Sequence, residues 1–181
     1  MNDNALGRAS QKASEKLHDL TNALRREVVP IEKARMLFKD AQALELRAYG
    51  KKTFRGVLYP MVFTTKDFLM EAVKLYDLAA IDYMQAGDAV NAAKSFEKSS
   101  DLLVKFSKST PNMRKRFDAL YLAGRNYANA SLLYSKKDRQ VGQEIGDKAR
   151  ECFAKLNFTP KMIDGEFVQA GQFVHSMLSF V

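Results

Sequence analysis

Few side chains in this sequence stand where they could do chemistry. His18 and His175 lie near opposite ends of the chain with no cysteine or second histidine at ligand spacing, so both read as surface or packing residues. Cys152 is the one cysteine of the 181 residues. Arg150 and Lys155 beside it would favour a thiolate, but no histidine lies close in sequence to act as a base, and an inert thiol is expected. A single cysteine excludes an internal disulfide framework and a cysteine-only zinc site. Glu144, Asp147, Lys148 and Glu151 recur at helix-neighbour spacing, which describes a solvated charged face better than a paired-carboxylate site. Gly142 and Gly146 are too sparse to cradle a phosphate. No catalytic activity, cofactor or metal is expected.

The cations are the stronger signal. The net charge of +8 is unevenly spread: residues 110–161 carry 11 basic against 5 acidic side chains, and residues 64–109 carry 6 against 7. Arg114, Lys115 and Arg116 form one cluster, Lys136, Lys137 and Arg139 another, with Arg125 between them. Lys51, Lys52 and Arg55 flank an apolar run that contains Phe54, Val57, Leu58, Tyr59, Met61, Val62 and Phe63. Gly56 and Pro60 interrupt any helix there, so residues 51–63 read as an apolar loop. Apolar side chains beside cations suit an anionic bilayer surface; a loop folded under the rest of the chain, or a short strand, is the alternative. The basic clusters suit an acidic protein surface, with ordinary solubilising charge as the alternative. Nucleic acid is disfavoured, because the aromatics follow a helical core period instead of lying open among the cations.

These residues must be carried by helices. Four prolines, nine glycines and abundant alanine, leucine, lysine and glutamate point to an all-α chain. The centre is residues 71–103. Ala72, Leu75, Tyr76, Ala79, Ala80 and Tyr83 form one apolar stripe, Gly87 stops that helix, and Asp88 caps the next. Val90, Ala93, Phe96, Leu102 and Leu103 form the second stripe, with Ala92 and Ser99 as small positions for close approach. On one side, residues 4–28 give a narrow leucine stripe, and Pro30 opens a helix to Gly50 bearing Ile31, Ala34, Leu37, Phe38, Ala41, Leu44 and Ala48. On the other, a helix carries Phe117, Leu120, Tyr121, Gly124, Tyr127 and Ala128, residues 135–142 form a polar turn, and Ile145, Ala149, Phe153 and Leu156 mark the next helix. Thr159 caps a last helix opened by Pro160, with Ile163, Phe167, Ala170, Val174, Met177 and Val181 as its stripe. So apolar a helix calls for a covering partner, or for a chain that continues beyond it.

Ala123, Gly124 and Tyr127 repeat the spacing of Ala79, Ala80 and Tyr83, and Ala149 with Phe153 echoes Ala92 with Phe96. The longer interval in the second copy implies that its first helix overruns the repeat. The spacing resembles the tetratricopeptide pattern of stacked helical hairpins. The expected architecture is a single domain, a right-handed stack of about seven antiparallel helices: N-terminal helices over 1–50, the apolar loop at 51–63, hairpins over 64–158 and a final helix over 159–181. No run approaches the roughly 18 apolar residues of a membrane span, and the first twenty residues lack a secretory core. A cytoplasmic protein with peripheral membrane contact is expected.

The order of these pieces, FRGVLYPMVF before EAVKLYDLAAIDYMQAGDAVNAAKSFEKSSDL and then ALYLAGRNYANA, resembles the soluble NSF attachment proteins (SNAPs) over roughly residues 36–135. The resemblance implies a non-enzymatic adaptor that binds SNARE bundles and recruits their disassembly ATPase, with the 51–63 loop on the membrane. That family is longer, so the chain reads as a truncated or divergent member. A general helical-repeat scaffold holding a peptide or helical partner is the other reading of the same pattern.

Overall fold

A computed structural model describes residues 30–50 and 65–179. Among these residues all regular structure is helical: α1 (Pro30–Gly50), α2 (Thr65–Gln85), α3 (Ala89–Ser109), α4 (Met113–Ser135), α5 (Arg139–Ala154) and α6 (Pro160–Leu178). The expected helix over 4–28 and the apolar loop at 51–63 lie outside the described residues.

Capping chemistry sets most of the boundaries. The Asp88 carboxylate accepts from the Asn91 amide at 3.1 Å, after Gly87 has turned through the left-handed region at φ 73°. The Asn112 and Thr159 side chains do the same for α4 and α6. The polar turn expected over 135–142 is shorter than its composition suggests. Asp138 accepts from the amides of Gln140 and Val141, so α5 already begins at Arg139.

From α1 to α5 each helix packs on the one before it. Side-chain pairings show the antiparallel sense: Lys33 meets Asp82 and Glu45 meets Tyr76 between α1 and α2, while Ser131 meets Gly142 between α4 and α5. The core runs continuously through these joints. Ala34, Ala41 and Ala48 bury the seam of α1; Tyr76, Ala79, Ala80 and Tyr83 bury that of α2; and Ala92, Phe96, Ser99 and Leu103 bury that of α3. Small residues at these steps bring helix axes close, and the larger side chains fill the spaces between turns.

In the second hairpin the Phe153 ring lies against Gly124, and the closest backbone approach falls at Gly142. Counted from the caps Asp88 and Asp138, Gly142 takes the place of Ala92, and Phe153 that of Leu103. A Cβ on Gly142 would stand 2.8 Å from the Ser135 backbone nitrogen and 2.9 Å from the Ser131 carbonyl oxygen, so two backbones touch there. Counted from the caps, Ala149 and Phe153 lie two helical turns beyond the positions of Ala92 and Phe96, as the expected overrun of the first helix requires. The cause is α4, which continues eight residues past Tyr127, where α2 continues only two past Tyr83.

The last helix leaves the pattern. α6 does not fold back along α5; it lies mainly on α4 and reaches α2. Its Glu166 stands by Tyr121 and Arg125, and Gly171 lies farther on by Leu132, so it runs parallel to α4. Asn157, in the left-handed region at φ 60°, turns the chain at the end of α5. The amide of Phe158 then donates to the Phe153 carbonyl at 3.1 Å while the two rings stack at 5.4 Å. This hydrophobic helix stop, with Phe158 also against Tyr121, directs the exit toward α4.

Candidate protein-interaction surfaces

The basic residues singled out in sequence fall into separate places. Arg114, Lys115 and Arg116 stand exposed on the first turn of α4. Lys136, Lys137 and Arg139 are exposed around the α4–α5 turn, about 33 Å away along α4. Arg125 is exposed but stands apart from both clusters. Its Nε lies 3.9 Å from Glu166 and its guanidinium stands 6.0 Å from the Tyr121 ring centre, so its charge is engaged by α6. Lys51, Lys52, Arg55, Phe54, Val57, Leu58, Tyr59, Met61, Val62 and Phe63 lie outside the described residues.

At the start of α4 the cations border an apolar groove of about 600 Å³. Met113, Phe117, Leu120 and Leu156 supply its apolar wall, with Arg114, Arg116 and Lys155 around it and Asp118 as the one acid. Phe117, expected in the core stripe, is instead 47% exposed, and Met113 is 73% exposed. The reason is length. α5 ends at Ala154, level with Gly124 through the Phe153 ring, so the first turns of α4 run past it uncovered. Arg116 is steadied by donating to the Thr110 carbonyl at 3.3 Å. Among the described residues Arg114 and Lys115 make no ion pair. Lys155 completes the positive rim from the end of α5, a role its sequence position beside Cys152 did not suggest.

Polar links tie neighbouring helices together. The Tyr76 hydroxyl donates to Glu45 at 3.1 Å, Tyr127 to Asp101 at 2.6 Å, Tyr134 to Glu97 at 3.2 Å and Tyr121 to Glu166 at 3.2 Å. Burial, reinforced by the facing carboxylates, pushes all four hydroxyls above the ordinary tyrosine range. They stay protonated donors that tie one helix to another. The signal was the choice of tyrosine over phenylalanine in a core stripe, since a buried hydroxyl needs a partner. Lys148 likewise belongs to no merely solvated face: it reaches Glu97 on α3 at 3.0 Å, with its ammonium 5.6 Å from the Tyr127 ring centre.

Two further groups have shifted protonation. Asp77 is held in the joint of α2, α3 and α4, where Asn126 Nδ2 donates to its Oδ1 at 2.8 Å and also to Ser99 Oγ at 3.1 Å. Burial outweighs these hydrogen bonds and raises its carboxyl to about 6. The Cys152 thiol is buried, and that burial raises it to about 11, the direction that suppresses nucleophilicity. Among the described residues no three His, Cys, Asp or Glu side chains gather so as to hold a metal ion. No described helix is long and apolar enough to cross a membrane. No protein-family model, curated protein or solved structure matches the chain.

Proposed function

We propose that this chain is a non-enzymatic adaptor built as a right-handed, tetratricopeptide-like solenoid, similar to the SNAP proteins. In this reading it docks an acidic helical partner of the SNARE-bundle kind, helps recruit the disassembly ATPase, and rests the 51–63 loop on the cytoplasmic membrane surface. The observation that carries it is the groove at the start of α4. Exposed Met113 and Phe117 lie beside Arg114, Arg116 and Lys155, a pairing that rewards an acidic surface with an apolar anchor. The serial packing of α1 to α5 supports the solenoid, since paired helices stacked side by side leave long faces for docking.

The test is anisotropy titration of an assembled, acidic SNARE four-helix bundle at 50 and 200 mM salt. Binding that weakens steeply with salt, and at least tenfold further in Arg114→Glu/Lys115→Glu/Arg116→Glu, is the expected result. Equal binding by the folded triple variant would remove this surface from the partner. Liposome flotation with Phe54, Leu58 and Phe63 changed to serine addresses the loop separately, and unchanged flotation would release it from the membrane.

The second reading, a general helical-repeat scaffold for a helix or peptide, is favoured by a different observation: a helix already lies along α4 in the free chain.

A further inference from the structure

We propose that the face formed mainly by α4, flanked by Phe96 of α3 and Arg150 of α5, is a docking site for an amphipathic helix of another protein, and that α6 is its resident occupant in the free chain. The site is apart from the basic groove, so the inference holds whether or not a SNARE bundle binds there.

The attachment of α6 is specific without being deep. Two of its 19 residues, Ala170 and Val174, are buried, against ten of 21 in α3. Ile163, Phe167, Phe173 and Met177 are only half-buried, and Val168 is 61% exposed. Yet the contacts that exist read sequence. The Glu166 side chain, 11% exposed, accepts from the Tyr121 hydroxyl at 3.2 Å and faces Arg125 at 3.9 Å. Phe173 meets Phe96 edge to face at 6.4 Å, and the Arg150 guanidinium stands 5.0 Å from the Phe167 ring centre. The cap at Thr159 and proline at 160 define the start of the helix, and Phe158 just before them stacks on Phe153.

α6 therefore shows what the face accepts. The partner is a helix with a carboxylate at the place of Glu166, a small residue four positions on where Ala170 is buried, and an aromatic seven positions on where Phe173 meets Phe96. Apolar groups at the places of Phe167 and Val174 widen the stripe. Such a helix-in-groove mode needs little beyond apolar anchors at helical spacing and one charge that fixes register. Arg125 supplies the complementary charge, which explains why it faces α6 and takes no part in the outer basic clusters. A resident helix lowers the apparent affinity of any competitor by the fraction of time it stays docked.

A fluorescein-labelled peptide of residues 159–179 is the probe, titrated into the full chain. Wild type is expected to bind it weakly, and Glu166→Lys/Phe173→Asp, whose own α6 no longer matches the face, at least tenfold more tightly. Adding Arg125→Glu to that variant should cost at least tenfold, and a peptide carrying Glu166→Lys should recover the loss. The milder Phe173→Ala, with helical circular dichroism as the folding control, gives the same order with a smaller step. Equal peptide affinity for wild type and Phe173→Ala, both folded, would overturn the proposal, as would binding indifferent to Arg125→Glu. A wild-type dimer by light scattering, its peptide binding lost on dimerisation, would assign the face to a second copy and overturn it as well.

Discussion

Two helices pack on α4, and they do so by opposite means. α5 lies so close that a Cβ on Gly142 would stand 2.8 Å from the Ser135 backbone nitrogen, while buried Ser131 Oγ donates to the Gly142 carbonyl at 2.7 Å and Phe153 fills the space against Gly124. α6 lies at ordinary distance: a Cβ on Gly171 would meet Leu132 Cδ1 at 4.0 Å, and one on Gly165 would meet nothing within 4 Å. The first interface is close-packed, built on small residues and continuous with the core. The second is a half-buried stripe that reaches the core through Ala170 and Val174 and is registered by a carboxylate, a hydroxyl and a guanidinium. A close, fully buried contact suits a permanent joint, and a shallower contact with a charge at its centre suits one that can open.

The sharpest way to break this contrast is to truncate one aromatic on each side. Phe153→Ala should lower global stability by about 3–5 kcal/mol, because a fully buried ring leaves a cavity between α4 and α5. Phe173→Ala should cost less than about 1 kcal/mol in the same chemical denaturation, since α6 can loosen without the stack. Similar losses in both would erase the distinction.

Glycine substitutions sharpen it further. Gly142→Ala is expected to destabilise by about 1–3 kcal/mol through overpacking against the α4 backbone. Gly171→Ala and Gly165→Ala should be neutral or stabilising by up to about 1 kcal/mol, because the space is open and alanine favours the helix. Thermal midpoints of the three variants decide it.

The smallest effect concerns the joint of α2, α3 and α4. The folded chain holds the Asp77 proton up to about pH 6, whereas a free aspartate carboxyl titrates near 3.8. The native state thus binds more protons in that interval, and this group's contribution to stability falls as pH rises through it. Asp77→Asn, which keeps an oxygen for Asn126, should match wild type near pH 4 and exceed it by on the order of 1 kcal/mol above pH 7. Denaturation of both chains across that range checks the sign.

Much of the stack was legible from local rules. Gly87 with Asp88, and Thr159 with Pro160, mark helix ends through short-range chemistry, and the Ala79, Ala80 and Tyr83 stripe points inward because burial follows helical period. The missed features are those that depend on a second helix. Phe117 has the period of a core residue, but whether a neighbour reaches it depends on where α5 stops. Arg125 looks like another surface cation until Glu166 arrives 41 residues later in the chain. The close approach of Gly142 to Ser131 and Ser135 was not legible, because two sparse glycines carry no period of their own. The direction of α6 rests on one residue, Asn157, in a conformation that composition alone does not announce.

Native-state hydrogen exchange on the full chain measures the separability of α6 directly. Amides of residues 163–178 should exchange through a partial opening of lower free energy, with those of α3, α4 and α5 protected up to the global limit. Equal protection of α6 and α5, with the same denaturant dependence, would mean that both helices open only when the whole chain unfolds, and that no face of α4 is released for a partner.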